Sequence, residues 1–217
     1  MAATSPASRL IAAAARRRLR PLGLHQQGRS RIWIDDHGWW LGIVEFPSPR
    51  WSQGSGLTVG AMWLWQDFDH LAFDFAEQVR PTDHFRNEEQ FTAVAHTLAC
   101  EAERQVEGLR TRFADLDRVA ECLLRRADRT GYLWESFNAG VAAALTGQTE
   151  AASQRFRAVL TEDPMAEWVR DAQRVARHLS GIAADTAAVR EWARIAVASC
   201  RTKLTLAEPA TAASTPI

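Results

Sequence analysis

Asp67-Phe68-Asp69-His70 places two carboxylates and an imidazole within four residues. Hard cations take carboxylate oxygens and imidazole suits transition metals, so Asp67, Asp69 and His70 are the chain's nearest approach to a metal or hydrolytic centre. The same residue types are favoured in turns between strands. No second ligand cluster is visible to complete a site. Asp35-Asp36-His37-Gly38 reads the same way, as a hairpin tip first and a ligand set second. The other histidines are scattered, and His96 reads as a partly buried, hydrogen-bonded helix residue. There is no G-x-S-x-G, no P-loop and no G-x-G-x-x-G, so no catalytic residue is assigned and no cofactor is expected.

A second set of residues could bind rather than react. Six of the nine tryptophans fall between Trp33 and Trp65. Each carries a large apolar surface and one N–H that needs a partner, so the cluster is either a heavy core or a binding face. Arg29, Arg31, Trp33, Trp39, Arg50 and Trp51 could form one mixed patch, and Arg and Trp are enriched at binding hot spots. Arg31, Trp39, Arg50 and Trp51 are the partner-binding candidates. Trp51 lies in the loop PSPRWSQGSG, which has no strand periodicity to bury it, and is expected at least partly exposed near Arg50. Stacking of arginine and tryptophan on single-stranded nucleic acid is the competing use of the same residues.

Composition narrows these choices. With 26 basic and 26 acidic residues the formal net charge is zero, which gives no general drive toward nucleic acid or anionic membrane. Residues 1–31 hold seven arginines and no acid. Only Lys203 is lysine; with so much alanine, that bias points to a GC-rich, bacterial genome. Cys100, Cys122 and Cys200 are odd in number and far apart, which fits a reduced cytoplasmic setting. No apolar run approaches the ~20 residues of a membrane span. The arginine-rich start resembles a transit peptide. Against that, Ser5 as N-cap, Pro6 as first residue, the spacing Ile11, Ala15, Leu19 and a stop at Pro21 predict a folded helix.

Four segments after that helix alternate with period two. Ile32 and Ile34 mark the first. Trp39 to Phe46 is apolar on both sides and reads as a central strand covered on both faces. Leu57 to Trp65 is the third, and Leu71 to Val79 the fourth, which is a strand or a short helix. Short connections predict a four-stranded antiparallel meander whose order tracks the sequence. Asn87-Glu88-Glu89-Gln90 is a capping box, and Phe91, Ala95, Leu98, Ala102, Val106, Leu109 and Phe113 stripe the helix that follows. This helix and the first are expected on the same face of the sheet. Val119 and Leu123 face inward on a shorter helix.

The fold class is therefore α+β, with a sheet domain over residues 1–127 and an all-helical extension over 128–205. Residues 206–217 are low in bulky apolar side chains and are expected to be disordered. Within the extension, Gly140, Gly147, Ala152, Phe156 and Pro164 match the small, small, small, aromatic and proline positions of a tetratricopeptide repeat, which spans ~34 residues. Its usual tryptophan and tyrosine positions hold Ser136 and Ala143, and an ordinary helical hairpin is the alternative. A second helical pair covers about 165–179 and 185–203.

The stretch LRPLGLHQQGRSRIWID, the second strand with its loop, GLTVGAMWLW and the helix around LRTRFADLDRVAECLL together resemble a bacterial family known as domain of unknown function 4304, over about residues 8–126. Where that family carries a polar Gln-Lys-Ser, this chain reads Pro47-Ser48-Pro49. The resemblance implies the sheet-and-helix fold and carries no activity. The functional expectation is a non-enzymatic cytoplasmic module that binds another protein or a peptide. The alternatives are a hydrolase or metal-dependent enzyme near Asp67, Asp69 and His70, or a single-stranded nucleic-acid binder through Arg31, Arg50 and Trp51. Balanced charge argues against nucleic acid, and no membrane partner is expected.

Overall fold

Ser5 accepts a hydrogen bond from the Ser8 backbone N–H at 3.3 Å, and Pro6 opens the first helix, in a computed structural model that describes residues 5–126 and 131–208. The chain divides into two units, residues 1–62 with 72–111 and residues 63–71 with 112–217.

In the first unit, helix α1 (Pro6–Leu19) buries Ala7, Ile11, Ala15 and Leu19 at the four-residue spacing of one helix face. Gly23, at φ 92°, then reverses the chain into the sheet. The strands are β1 (His25–Gln26), β2 (Ile32–Asp36), β3 (Trp40–Glu45), β4 (Gly54–Trp63) and β5 (Phe75–His84), paired in that order. The sheet is antiparallel and tracks the sequence, as expected, but it has five strands and not four. The added β1 is two residues long, too short for alternation to reveal.

The fourth strand also differs from the expected Leu71 to Val79. It starts at Phe75 and runs through Pro81 to His84. Proline is tolerated there because β5 is an edge strand and Pro81 falls where its pairing with β4 is irregular. The third run ends as a strand at Trp63, and residues 64–66 form a single 3-10 turn closed by Asp67 in the left-handed region at φ 58°. Between β4 and β5 the backbones approach so closely that a Cβ on Gly60 would overlap the Phe75 carbonyl oxygen. The pairing is irregular around Leu57.

Helix α2 (Glu88–Arg112) is capped by Asn87, whose side chain accepts from the Gln90 N–H at 2.8 Å. Gln90 reaches back to the Arg86 N–H at 3.2 Å, one residue beyond the usual capping-box partner. The buried stripe runs from Phe91 through Ala95, Leu98, Ala102 and Val106 to Leu109. Arg9 pairs with Glu88, and Arg18 with Glu103 at 3.2 Å, so α1 lies along α2. Arg31, the residue just before β2, and Asp35 within it are an even number of residues apart, which puts both on one side of the strand's line. Arg31 donates to Ser8 of α1 and Asp35 accepts from Arg110 of α2, so both helices cover that face. β3 is buried on both faces, with Trp40 and Val44 on one and Leu41 and Ile43 on the other.

The second unit is built around α4 (Leu133–Leu145), in which all but Trp134 and Glu135 are buried. Its run of Gly, Val and Ala lets α3 (Leu116–Leu124), α5 (Thr149–Thr161), α6 (Glu167–Ile182) and α7 (Thr186–Lys203) all pack against it. Gly140 faces Phe156 of α5, where an added Cβ would lie 2.7 Å from the ring. Gly147, at φ 76°, makes the turn between α4 and α5. Asp185 caps α7 through the N–H groups of Ala187 and Ala188. The 64–66 turn packs on α7. Of the tail expected to be disordered, residues 209–217 lie outside the described residues. Among the described residues no helix is long and apolar enough to cross a membrane.

Candidate functional site

The structure answers the question posed by the tryptophan cluster. Trp33, Trp39, Trp40, Trp63 and Trp65 are all buried. They are core. Trp65 donates its indole N–H to Asn138 Oδ1 at 2.9 Å and stacks on Trp63, whose ring meets Phe113 edge-on at 5.0 Å. Trp51 alone of the six is exposed, at 88%, with the Arg50 guanidinium 5.0 Å above its ring, as its loop position led us to expect. Arg31 is half-buried and donates to the carbonyls of Phe46 and Gly54 as well as to Ser8. Burial lowers its pKa from the ordinary arginine value. The four partner-binding candidates thus separate, with Arg31 and Trp39 inside the sheet unit's packing and Arg50 and Trp51 together on its surface.

Asp35 does not sit at the hairpin tip. It belongs to β2, is 5% exposed, and takes both Arg110 Nε and Nη2 in a two-pronged pair at 2.8 and 2.7 Å. Arg110 also donates to the Leu22 carbonyl at 2.7 Å. His37 Nε2 lies 2.8 Å from Asp35 Oδ2 while its ring stacks on Trp40 at 4.1 Å. Burial pushes the Asp35 carboxyl up, but the bonds from Arg110 and His37 outweigh it and hold the pKa below the ordinary carboxylate range. This buried cluster ties helix to sheet. His96 is exposed and not partly buried; it faces Arg18 at 3.3 Å.

A concave, aromatic-lined site lies in the helical unit. A cavity of about 450 Å³ is lined by Trp65, Phe68, Trp134, Phe137, Trp168 and Trp192, together with Gln66, Asp67, His70 and Asp171. That size falls in the ~300–1,000 Å³ range of ligand pockets. Four of these rings, Phe68, Trp134, Phe137 and Trp168, form one connected cluster. Trp134 stacks on Trp168 at 6.1 Å and meets Phe68 and Phe137 edge-on at 4.9 and 5.4 Å. Trp168 is 53% exposed, and Met165 and Ile195, three residues from Trp168 and Trp192, are exposed too.

The polar part of the wall comes from the turn after β4. Gln66 is 8% exposed, and neither its amide nitrogen nor its amide oxygen has a hydrogen-bond partner among the described residues. Asp67 binds Lys203 through Oδ2 at 2.8 Å, while its other oxygen is buried without a partner among the described residues. Lys203 also donates to the Asp67 carbonyl, which fixes this left-handed residue to the end of α7. His70 stacks on Phe68 and bonds Asp69 at 2.9 Å; that bond, the largest influence, lowers the Asp69 pKa. Two of the three residues first singled out, Asp67 and His70, therefore line the cavity, while Asp69 holds His70 from outside it. Among the described residues no group of three His, Cys, Asp or Glu side chains is arranged to hold a metal ion.

Sequence reasoning missed the three later tryptophans. The signal was a second apolar stripe. On α6, Val169, Ala172, Ala176 and Leu179 feed the core, while Trp168, Ala172 and Val175 form an adjoining stripe that lines the cavity. On α7, Val189, Ala193 and Val197 do the first job, and Trp192 and Ala196 the second. No family model matches this chain, and no curated protein or solved structure matches it either.

Proposed function

We propose that this chain is a binding module, not an enzyme, and that it holds a protein or peptide partner by seating a side chain in the aromatic cavity of the helical unit. The observation that carries this reading is the rim. A cavity that served only a small free ligand would need apolar lining but no apolar surround. Here Trp168, part of the lining, is exposed, and so are Met165 and Ile195, three residues along the chain from Trp168 and Trp192, where a partner chain would cover them. Tryptophan is also the residue most enriched at binding hot spots. The buried, unpartnered amide of Gln66 supports the reading, because a donor and an acceptor side by side match a peptide group.

The hydrolytic alternative would use the same wall through Asp67 and His70. Both are already engaged, Asp67 by Lys203 and His70 by Asp69. A second docking point is Arg50 with Trp51 in the sheet unit, favoured by the ring's exposure.

Selection of displayed random peptides on the full chain tests the reading. We expect enriched peptides whose affinity falls by ~2 kcal/mol, the loss typical of a hot-spot tryptophan, in Trp168→Ala. Equal binding to wild type and Trp168→Ala, or no enrichment at all, would overturn it. Loss in Trp51→Ala without loss in Trp168→Ala would move the site to the sheet unit.

A further inference from the structure

We propose that the group seated in the cavity is an organic cation with an apolar body, an alkylated ammonium. This deepens the peptide-binding reading and rests on it. The lining contains four tryptophans, Trp65, Trp134, Trp168 and Trp192, and tryptophan is the best aromatic partner for a cation. Among the described residues its only charged side chains, His70 aside, are Asp67 and Asp171, both acidic. Each has a cationic neighbour, Lys203 for Asp67 and Arg174 for Asp171, but neither cation is part of the lining. The Asp171–Arg174 pair is exposed, and such pairs contribute little.

The choice of cation follows from desolvation. A neutral apolar group closing the cavity would strip water from Asp171 and bring no charge to Asp67 Oδ1 or the Gln66 oxygen, which are buried without a hydrogen-bond partner among the described residues. A cation offsets both carboxylates at once. A bare primary ammonium is strongly hydrated and would lose that hydration against the aromatic wall. Alkyl groups on the nitrogen spread the charge and pack on the rings, which is how aromatic cages hold quaternary ammonium. The group can come from a methylated lysine of a partner or from a free quaternary amine. The exposed rim favours the first.

Three probes on the full chain decide this, with intrinsic tryptophan fluorescence as the readout. They are an N-acetylated, amidated trimethyl-lysine, choline, and 3,3-dimethylbutanol, the uncharged carbon isostere of choline. We expect choline to bind at least ~10-fold more tightly than the alcohol, the size of a desolvated cation–aromatic contact. The lysine derivative should bind more tightly still. In Asp67→Asn with Asp171→Asn the preference for cation over alcohol should shrink toward the share that the aromatic lining supplies by itself, and an undiminished preference would overturn the role of the carboxylates. Asparagine suits the left-handed backbone at position 67, so the turn survives the change. Equal binding of choline and the alcohol to wild type would overturn the cation and leave the pocket standing. Tighter binding of choline than of the lysine derivative would overturn the peptide source alone. If no probe binds while selected peptides still depend on Trp168, the cation inference fails and the peptide reading holds.

Discussion

Asp35 shows how one residue can look like chemistry in a sequence and be structure in the fold. Beside Asp36 and His37 it has the composition of a ligand set or a turn. In the structure its carboxylate faces α2, where Arg110 grips both oxygens. Sequence cannot supply that partner, since it lies 75 residues away. The lowered pKa makes the pair's worth depend on pH. The native value lies below the ~3.9 of an unfolded aspartate. The contribution is therefore complete above that pH and is lost as acid takes the pH down through the native value. Asp35→Asn should cost about 2 kcal/mol near neutrality, as loss of hydrogen bonds to a charged group does. Urea unfolding of both proteins across pH should show the gap narrowing in acid. A gap independent of pH would mean that packing, not charge, accounts for the loss.

Elements were more legible than residues because periodicity survives without knowing the partner. α1 was readable from Ser5, Pro6 and a four-residue stripe, and α2 from Asn87 and its longer stripe. Both signals are local. β5 was misplaced because its position is set by backbone approach to the glycines of β4, a long-range fit. α4 sits between these cases. Its small residues were visible, and their purpose is contact with α5. Gly140→Ala separates propensity from packing. In a free helix the change gains ~1 kcal/mol. Here the new Cβ would meet the Phe156 ring at 2.7 Å, and Phe156 is fully buried with nowhere to turn. Overpacking of this kind costs ~1–3 kcal/mol. We expect a net loss and a lower melting temperature. A neutral or stabilised variant would show that the α4–α5 pair can spread apart.

At the scale of the whole molecule the sequence suggested a linear division, and the fold is not linear. Composition changes near residue 127, where sheet-like alternation is long past and the repeat-like hairpin begins. The helical unit nevertheless takes in residues 63–71, the turn after β4. That turn bears much of the cavity's polar wall, so the candidate site draws on two distant stretches of chain. Nothing in a window of sequence reports such an excursion, because Trp63 and Trp65 continue the alternation of the strand before them. Their partners lie elsewhere in the helical unit: Trp65 bonds Asn138, and α7 packs on the turn. A fragment of residues 1–127 keeps the turn and loses α4 to α7. Leu64, Trp65 and Phe68 would then meet water, and Trp65 would lose its bond to Asn138. Exposed apolar surface of that kind drives aggregation. We expect the fragment to be insoluble on expression, or to unfold without a cooperative transition, whereas the full chain melts cooperatively. A soluble fragment with a sharp melt would show that the turn needs no cover from the later helices, and would make residues 1–127 a domain in their own right.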